Sequence, residues 1–174
     1  MAMNSRGETH PLPKQGFQKR YYTKISSFWN DFRFLITNRD QIKIAMRDPK
    51  IDSAFRERLM MAVTEVNGCR YCRTFHMEQA REAGISQDEI NIYLLGAIPE
   101  DIPEEQKLAV CYAQHWAENN RDPDEDYLDQ VREWYGDESF QSISMVLRMI
   151  WMGNLLGNTG DYLLFRISFG RLGL

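Results

Sequence analysis

Two cysteines and a histidine at short spacing are the residues of this chain best suited to covalent chemistry. Cys69, Cys72 and His76 stand within the stretch NGCRYCRTFH. On a helix that begins at or just after Cys69, a rotation of about 100° per residue places the three side chains within roughly 60° on one face. Thiols beside an imidazole can act as nucleophiles, bridge to each other or bind a metal ion.

Within this row, Cys72 is the predicted nucleophile. His76 follows it by four residues, so the imidazole can accept the thiol proton, and the free N–H groups of the first helical turn also favour a negative sulfur. Cys69 lies one turn earlier, within the separation that a disulfide bridges, and is the natural resolving thiol after Cys72 is oxidised. The spacing therefore favours a redox-active pair.

Two other interpretations of the row stay open. Zinc accepts two thiolates and an imidazole, but a closed zinc site needs a fourth ligand, which Cys111 or His115 could supply only if the fold brought them near. Alternatively, the thiols are inert and reduced. Cys111 and His115 themselves are typical of a small core residue and a partly buried histidine, and neither is assigned a role.

The segment that leads to the two cysteines is predicted to be helical. A first helix covers about 22–38, where apolar residues recur at three- and four-residue steps, and a short second helix ends at Pro49. A third helix runs from a cap at Asp52 or Ser53 to a stop at Gly68, directly before the first cysteine. This helix must set the position of the reactive row.

The rest of the chain also shows helical signals. A fourth helix, which carries the cysteines, closes at Gly84, and a fifth begins with a capping box from Ser86 to Glu89. A sixth opens at Pro103, and a seventh precedes a long, largely apolar final helix. Almost nothing alternates with the period of a strand, so we predict an all-α, single-domain helical bundle of about seven or eight helices.

Length and charge limit the classes of function. With 174 residues the chain suits one domain, predicted over 21–174 after a flexible N-terminal arm over 1–20. The net charge is −4 and the basic residues are scattered, which argues against nucleic acid as a partner. The N-terminus lacks an apolar signal core, and three cysteines are too few for a secreted disulfide framework, so a cytoplasmic location is expected.

The final helix carries a row of polar residues within its apolar stretch. Asn154, Asn158 and Asp161 interrupt that stretch, so no membrane span is expected. Their steps of four and three residues favour a subunit interface or a polar core network over contact with a substrate. Nearby glycines permit another backbone to approach. The aromatic residues could line an apolar pocket, but they are expected to pack in the core. These residues are Gly153, Gly157 and Gly160, and Phe28, Trp29, Phe32, Trp116 and Trp151.

The segment FRERLMMAVTEVNGCRYCRTFHMEQAREAGIS closely resembles the core of the alkylhydroperoxidase D / carboxymuconolactone decarboxylase family. The shared features are a glutamate about twelve residues upstream, Cys-x-x-Cys-x-x-x-His, and a helix closed by Ala-Gly. The resemblance covers about 55–86. It implies an all-helical fold, a peroxidase or disulfide-reductase activity in the thiol-bearing branch, and a homo-oligomer, usually a trimer or hexamer.

Residue by residue, the resemblance implies a complete set of catalytic roles. Cys72 would be the peroxidatic cysteine, Cys69 the resolving one and His76 its proton partner. Glu57 would be a carboxylate of the proton relay, able to orient the imidazole or accept a proton through water. The alternative for Glu57 is an exposed glutamate between two arginines. Glu65, the rival acid, lies too near the helix end to match the pattern.

One position departs from the best-known peroxidases of that family, which carry a second histidine directly before the second cysteine. Here that residue is Tyr71, and a phenol donates a hydrogen bond but is a poor base near neutral pH. The decarboxylase branch generally lacks the cysteine pair, which makes lactone decarboxylation the weaker alternative.

Together these observations predict a thiol-dependent peroxidase or disulfide oxidoreductase. Its substrate would be a small-molecule peroxide, and an external dithiol would reduce the disulfide, with no need for an organic cofactor or a metal. The alternatives are a non-enzymatic redox sensor or helical interaction module, a zinc-stabilised helical protein, and an enzyme of the carboxymuconolactone decarboxylase type.

Overall fold

A computed structural model describes residues 17–173 and the backbone of two short N-terminal segments. These segments are β1 (Ala2–Met3) and β2 (Thr9–His10), which pair antiparallel with Ala2 opposite His10. The predicted flexible arm over 1–20 therefore lies largely outside the described residues.

Helices make up the regular structure from residue 17 onward. In chain order they are α1 (Ile25–Thr37), α2 (Arg39–Ala45), α3 (Ser53–Asn67), α4 (Arg70–Glu82), α5 (Gln87–Leu94), α6 (Glu104–Glu118) and α7 (Glu125–Ile167). The predicted all-α fold is confirmed. Gly136 divides α7 into two arms because its φ of 75° and ψ of 162° are not helical, and this is where the sequence predicts one helix to end and the next to begin.

The turn between α3 and α4 is fixed by local capping. At the start of α3, the Asp52 carboxylate accepts a hydrogen bond of 2.8 Å from the backbone N–H of Phe55. At its end, Gly68 adopts a left-handed φ of 70° and donates its N–H to the Thr64 carbonyl at 2.8 Å. The chain then passes directly into Cys69, so the cysteines start a new helix immediately after a glycine stop.

The capping box predicted for α5 forms only in half. The Ser86 hydroxyl accepts a hydrogen bond of 3.1 Å from the Glu89 N–H, as expected. The Glu89 side chain does not complete the box, because its two oxygens accept hydrogen bonds of 2.7 and 3.1 Å from Arg58. A nearly buried guanidinium needs a charged partner, and this long-range ion pair takes precedence over the local cap.

α3 lies at the centre of the bundle and packs against α4, α6 and α7. Most of the largest fully buried apolar side chains come from α3, α5, α6 and the second arm of α7, among them Phe55, Leu59, Ile90, Val110 and Ile143. Trp116 and Trp151 meet edge to face at 5.5 Å within this core. The element that precedes the cysteines is therefore held on several sides.

The prediction that all the named aromatics pack in the core is wrong for α1. Trp116 and Trp151 are buried and Phe28 is half-buried, but Trp29 and Phe32 are 55% and 39% exposed. The physical reason is that α1 lies at the edge of the bundle, against α2 and α7 alone, and buries none of its residues. Its outer face instead presents an exposed apolar row, here called the α1 stripe, formed by Ile25, Trp29, Phe32 and Ile36.

Among the helices of the described residues, none combines the length and the apolar character needed to cross a bilayer.

Candidate functional site

Cys69 and Cys72 are joined by a disulfide at the start of α4, with their Cα atoms 5.3 Å apart. Cys69 is the N-cap of the helix, and its sulfur accepts a hydrogen bond of 3.3 Å from the Cys72 N–H. The two sulfurs differ in access, because Cys69 is fully buried whereas Cys72 is half-buried. The sulfurs thus lie beside the free N–H groups of the first helical turn, which stabilise negative charge.

One turn beyond Cys72, the imidazole of His76 pairs with Glu57 of α3. The distance from His76 Nδ1 to Glu57 Oε2 is 2.7 Å, and the two side chains are only 10% and 13% exposed. The alternative of an exposed Glu57 between two arginines is therefore wrong. An imidazole that donates Nδ1–H to a carboxylate keeps Nε2 as its proton acceptor, which is the arrangement that a general base requires.

The rival acid, Glu65, has a different partner. Its carboxylate accepts a hydrogen bond of 2.8 Å from Arg73 Nε, and a second bond from the same guanidinium completes a bidentate pair. Burial raises the pKa of the Glu65 carboxyl, and the contact with Arg73 offsets this only in part. Of the two candidate carboxylates, the structure pairs Glu57 alone with His76.

A glycine of α7 makes room for the disulfide. A Cβ atom added to Gly157 would lie 2.9 Å from Cys69 Sγ and 3.6 Å from the Tyr71 ring. No real Cβ comes that close to another heavy atom, so any side chain here would displace the sulfur. The sequence predicts that another backbone could approach Gly153, Gly157 and Gly160, but the close neighbours at Gly157 are side chains. At Gly153 and Gly160 an added Cβ meets nothing within 4 Å.

The residues between the cysteines are bound to Asp161, one turn beyond that glycine. Asp161 is fully buried, and its Oδ1 accepts hydrogen bonds from Arg70 Nη2 at 2.6 Å and from Tyr71 Oη at 2.9 Å. Its Oδ2 accepts from Lys19 Nζ at 2.8 Å. Burial alone would raise the pKa of Asp161, but the hydrogen bonds from Lys19 and Tyr71 and the charges of Lys19 and Arg70 outweigh it and lower that pKa.

The other members of the polar row form a network inside the core. Asn154 accepts a hydrogen bond of 3.2 Å from Asn67 and donates one of 3.1 Å to Thr64. Asn158 donates to the Asn67 carbonyl at 2.7 Å. The predicted polar core network is therefore confirmed for both asparagines. It ties α7 to the end of α3, directly before the cysteines.

Neither of the remaining candidates is engaged as a ligand. Cys111 is a free, half-buried thiol, and burial raises its pKa. His115 pairs with Asp124 at 3.2 Å. Within the described part of the chain, no three histidine, cysteine or acidic side chains gather closely enough to hold a metal ion.

The sequence predicts Glu57 and the Cys-x-x-Cys-x-x-x-His row as site residues, and the structure pairs Glu57 with His76 and joins Cys69 to Cys72. The contacts of Gly157 and Asp161 with the C-x-x-C turn are not predicted from the sequence. The small-residue spacing and the polar row of α7 are the available signals, but neither specifies a partner about 90 residues away in the chain.

Comparison with known proteins gives two matches. The profile of the Carboxymuconolactone decarboxylase family matches residues 32–113, a span that contains the cysteine pair, His76 and Glu57. The chain is also 31% identical over 108 residues to "Uncharacterized protein YdfG" of Bacillus subtilis (strain 168), an alignment that covers 60% of this chain and 71% of that protein. No solved structure matches the chain.

Proposed function

Since this chain belongs to the carboxymuconolactone decarboxylase family, we propose that it is a thiol-dependent peroxidase or disulfide oxidoreductase of the alkylhydroperoxidase D type. The observation that carries the proposal is the pairing of His76 with Glu57 one helical turn beyond a bridged cysteine pair. An oriented base next to a thiol that can form a disulfide is the minimum set for two-cysteine peroxide chemistry.

In the first step, Cys72 is the attacking thiol because it is the more exposed of the two. His76 accepts its proton, and the thiolate attacks one peroxide oxygen, so that a sulfur–oxygen bond forms and the oxygen–oxygen bond breaks. The leaving alkoxide takes the proton from His76 and departs as an alcohol, or as water from hydrogen peroxide. Cys72 is left as a sulfenic acid.

In the second step, Cys69 resolves the sulfenic acid. Its thiol attacks the Cys72 sulfur, water leaves, and the disulfide seen in the structure forms. An external dithiol then reduces the pair by thiol–disulfide exchange and is itself oxidised to a disulfide. Because the cycle depends on a supply of reduced dithiol, we place the protein in the cytoplasm, where thiols are kept reduced. The cycle uses no organic cofactor and no metal.

We further propose that the working form is a homo-oligomer, a trimer or a hexamer. The α1 stripe supports this, since its residues recur at steps of four, three and four, the spacing of a seam that packs against another helix. Large exposed apolar rows are uncommon on monomers and mark contact surfaces.

The test is peroxide consumption in the presence of a recycling dithiol, with Cys72→Ser and Cys69→Ser variants. The proposal predicts sustained turnover by the natural protein and none by Cys72→Ser. Oxidation that stops after one equivalent, even with excess dithiol, would instead favour a redox sensor. Turnover of a carboxymuconolactone without peroxide consumption would favour a decarboxylase.

A further inference from the structure

The turn that holds the two cysteines is anchored from outside its own helix. Arg70 and Tyr71 are the two residues between Cys69 and Cys72, and both donate hydrogen bonds to the same oxygen of Asp161. Arg70 also donates to the Tyr71 hydroxyl at 3.0 Å, so the three groups form a closed triangle. Asp161 is fully buried on α7, so the turn is held by a helix other than the one that carries the cysteines.

The anchor lies one helical turn from the point where the disulfide contacts α7. Gly157 leaves room for Cys69 Sγ, and Asp161, four residues later, binds the residues between the cysteines. Positions four apart face the same side of a helix. α7 thus offers the C-x-x-C turn a surface made of one small residue and one carboxylate.

Lys19 brings a second cation to the same carboxylate. It lies before α1, binds the free Oδ2 of Asp161 at 2.8 Å, and packs its side chain near Gly68. Two positive charges and one negative charge are therefore grouped within hydrogen-bond distance beside the cysteines. Asp161 neutralises one of the two cations.

From this geometry we infer that Asp161 is a positioning residue that holds the C-x-x-C turn in its disulfide-forming arrangement and thereby sets the equilibrium between dithiol and disulfide. The inference rests on the proposed redox function of the cysteine pair. Asp161 touches neither a substrate nor the reacting sulfurs in the described contacts, and it acts through Arg70 and Tyr71.

Removal of the Asp161 charge has two physical effects, and both destabilise the disulfide relative to the dithiol. A turn that has lost its anchor holds Cys69 less often next to Cys72, which lowers the effective concentration of one thiol at the other. Without Asp161, Lys19 and Arg70 are no longer neutralised, and positive charge near sulfur favours the thiolate of the reduced form. Both effects make the disulfide easier to reduce.

The test is the equilibrium of the cysteine pair with a defined ratio of reduced and oxidised dithiothreitol, for the natural protein and for Asp161→Asn. We expect the disulfide equilibrium constant to fall about tenfold in the variant, which equals about 30 mV for this two-electron couple. The pH midpoint of thiol alkylation in the reduced variant is expected to move down.

Asp31→Asn is the matched control. Asp31 also accepts hydrogen bonds from a tyrosine and an arginine, Tyr22 at 2.8 Å and Arg121 at 2.5 Å, but it does not bind the C-x-x-C turn. A purely structural role for buried carboxylates predicts that both variants lose stability and that neither shifts the redox equilibrium. The inference predicts a shift for Asp161→Asn alone.

Tyr71→Phe provides a second test if Asp161→Asn does not fold. It removes one hydrogen bond to Asp161 without changing any charge, so the disulfide constant should fall by less and the alkylation midpoint should stay in place. If the dithiol–disulfide equilibrium is unchanged in the folded variants, the inference is overturned and the proposed function remains intact. A natural protein whose pair does not equilibrate with dithiothreitol overturns both.

Discussion

His76 Nδ1 lies 2.7 Å from Glu57 Oε2, across the contact between α4 and α3. The pair is mostly shielded from water, which strengthens the interaction and fixes the orientation of the ring. It also joins the helix that carries the cysteines to the central helix of the bundle. The base of the proposed site is thus oriented by the helix at the centre of the bundle.

Replacing Glu57 by glutamine should lower peroxide turnover without unfolding the protein. Glutamine can still contact the imidazole but carries no charge to stabilise imidazolium. We expect a loss of about tenfold to hundredfold, a part of the 10²–10⁴-fold that a positioned acid–base group contributes. The measurement is the initial rate with excess dithiol. Glu65→Gln is the control, because that carboxylate binds Arg73, and its rate should be nearly unchanged.

Gly157→Ala should disturb the cysteine pair through direct contact. The added methyl group would lie 2.9 Å from Cys69 Sγ, so the sulfur must move away from its position in the disulfide. We expect the disulfide to form more slowly after oxidation. The rate is measured by counting free thiols in samples quenched at successive times. Gly160→Ala adds the same group where nothing lies within 4 Å, and should gain about 0.5–1 kcal/mol from helix propensity. Equal effects of both variants would contradict this account.

Local signals in the sequence predict much of this fold. Asp52 and Gly68 mark the ends of α3, and the Cys-x-x-Cys-x-x-x-His row follows from helical spacing alone. These features depend on neighbours within about one turn, which a single sequence displays.

The features that the sequence does not predict depend on distant parts of the chain. The Glu89 side chain meets Arg58 rather than its own helix end, and Asp161 meets a turn 90 residues earlier. A polar residue in an apolar helix signals that a buried partner exists, but not which one. The exposure of Trp29 has the same cause, because burial of an amphipathic helix depends on what packs against it.

Acid should weaken the contribution of Asp161 to stability. Because its pKa is lowered in the folded state, Asp161 stabilises the fold above the ordinary aspartate pKa, and this contribution is lost as the pH falls below about 4 and through the folded value. Urea unfolding of the natural protein and Asp161→Asn between pH 7 and 3 measures it. The difference in unfolding free energy should shrink toward acid pH, and a constant difference would refute the assignment.

Charge placed in the α1 stripe should separate the subunits of the proposed oligomer. Trp29→Glu puts a carboxylate in the middle of the stripe, where association would have to desolvate it. We expect sedimentation to show a trimer or hexamer for the natural protein and smaller species for the variant. Asn30→Glu, which adds the same charge at an exposed position of α1 away from the stripe, should keep the natural assembly. A natural protein that sediments as a monomer would contradict the proposal.

The most direct test of the central claim is a thiol count before and after one equivalent of peroxide. Starting from the reduced protein, we predict the loss of two thiols for each peroxide consumed, with Cys69 and Cys72 linked in the product. Oxidation of the Cys69→Ser variant should stop at a sulfenic acid on Cys72, which a dimedone probe traps. The Cys72→Ser variant should consume peroxide much more slowly than the natural protein. Rapid oxidation of Cys72→Ser, or a natural protein that keeps both thiols, would contradict the assignment of Cys72 as the nucleophile.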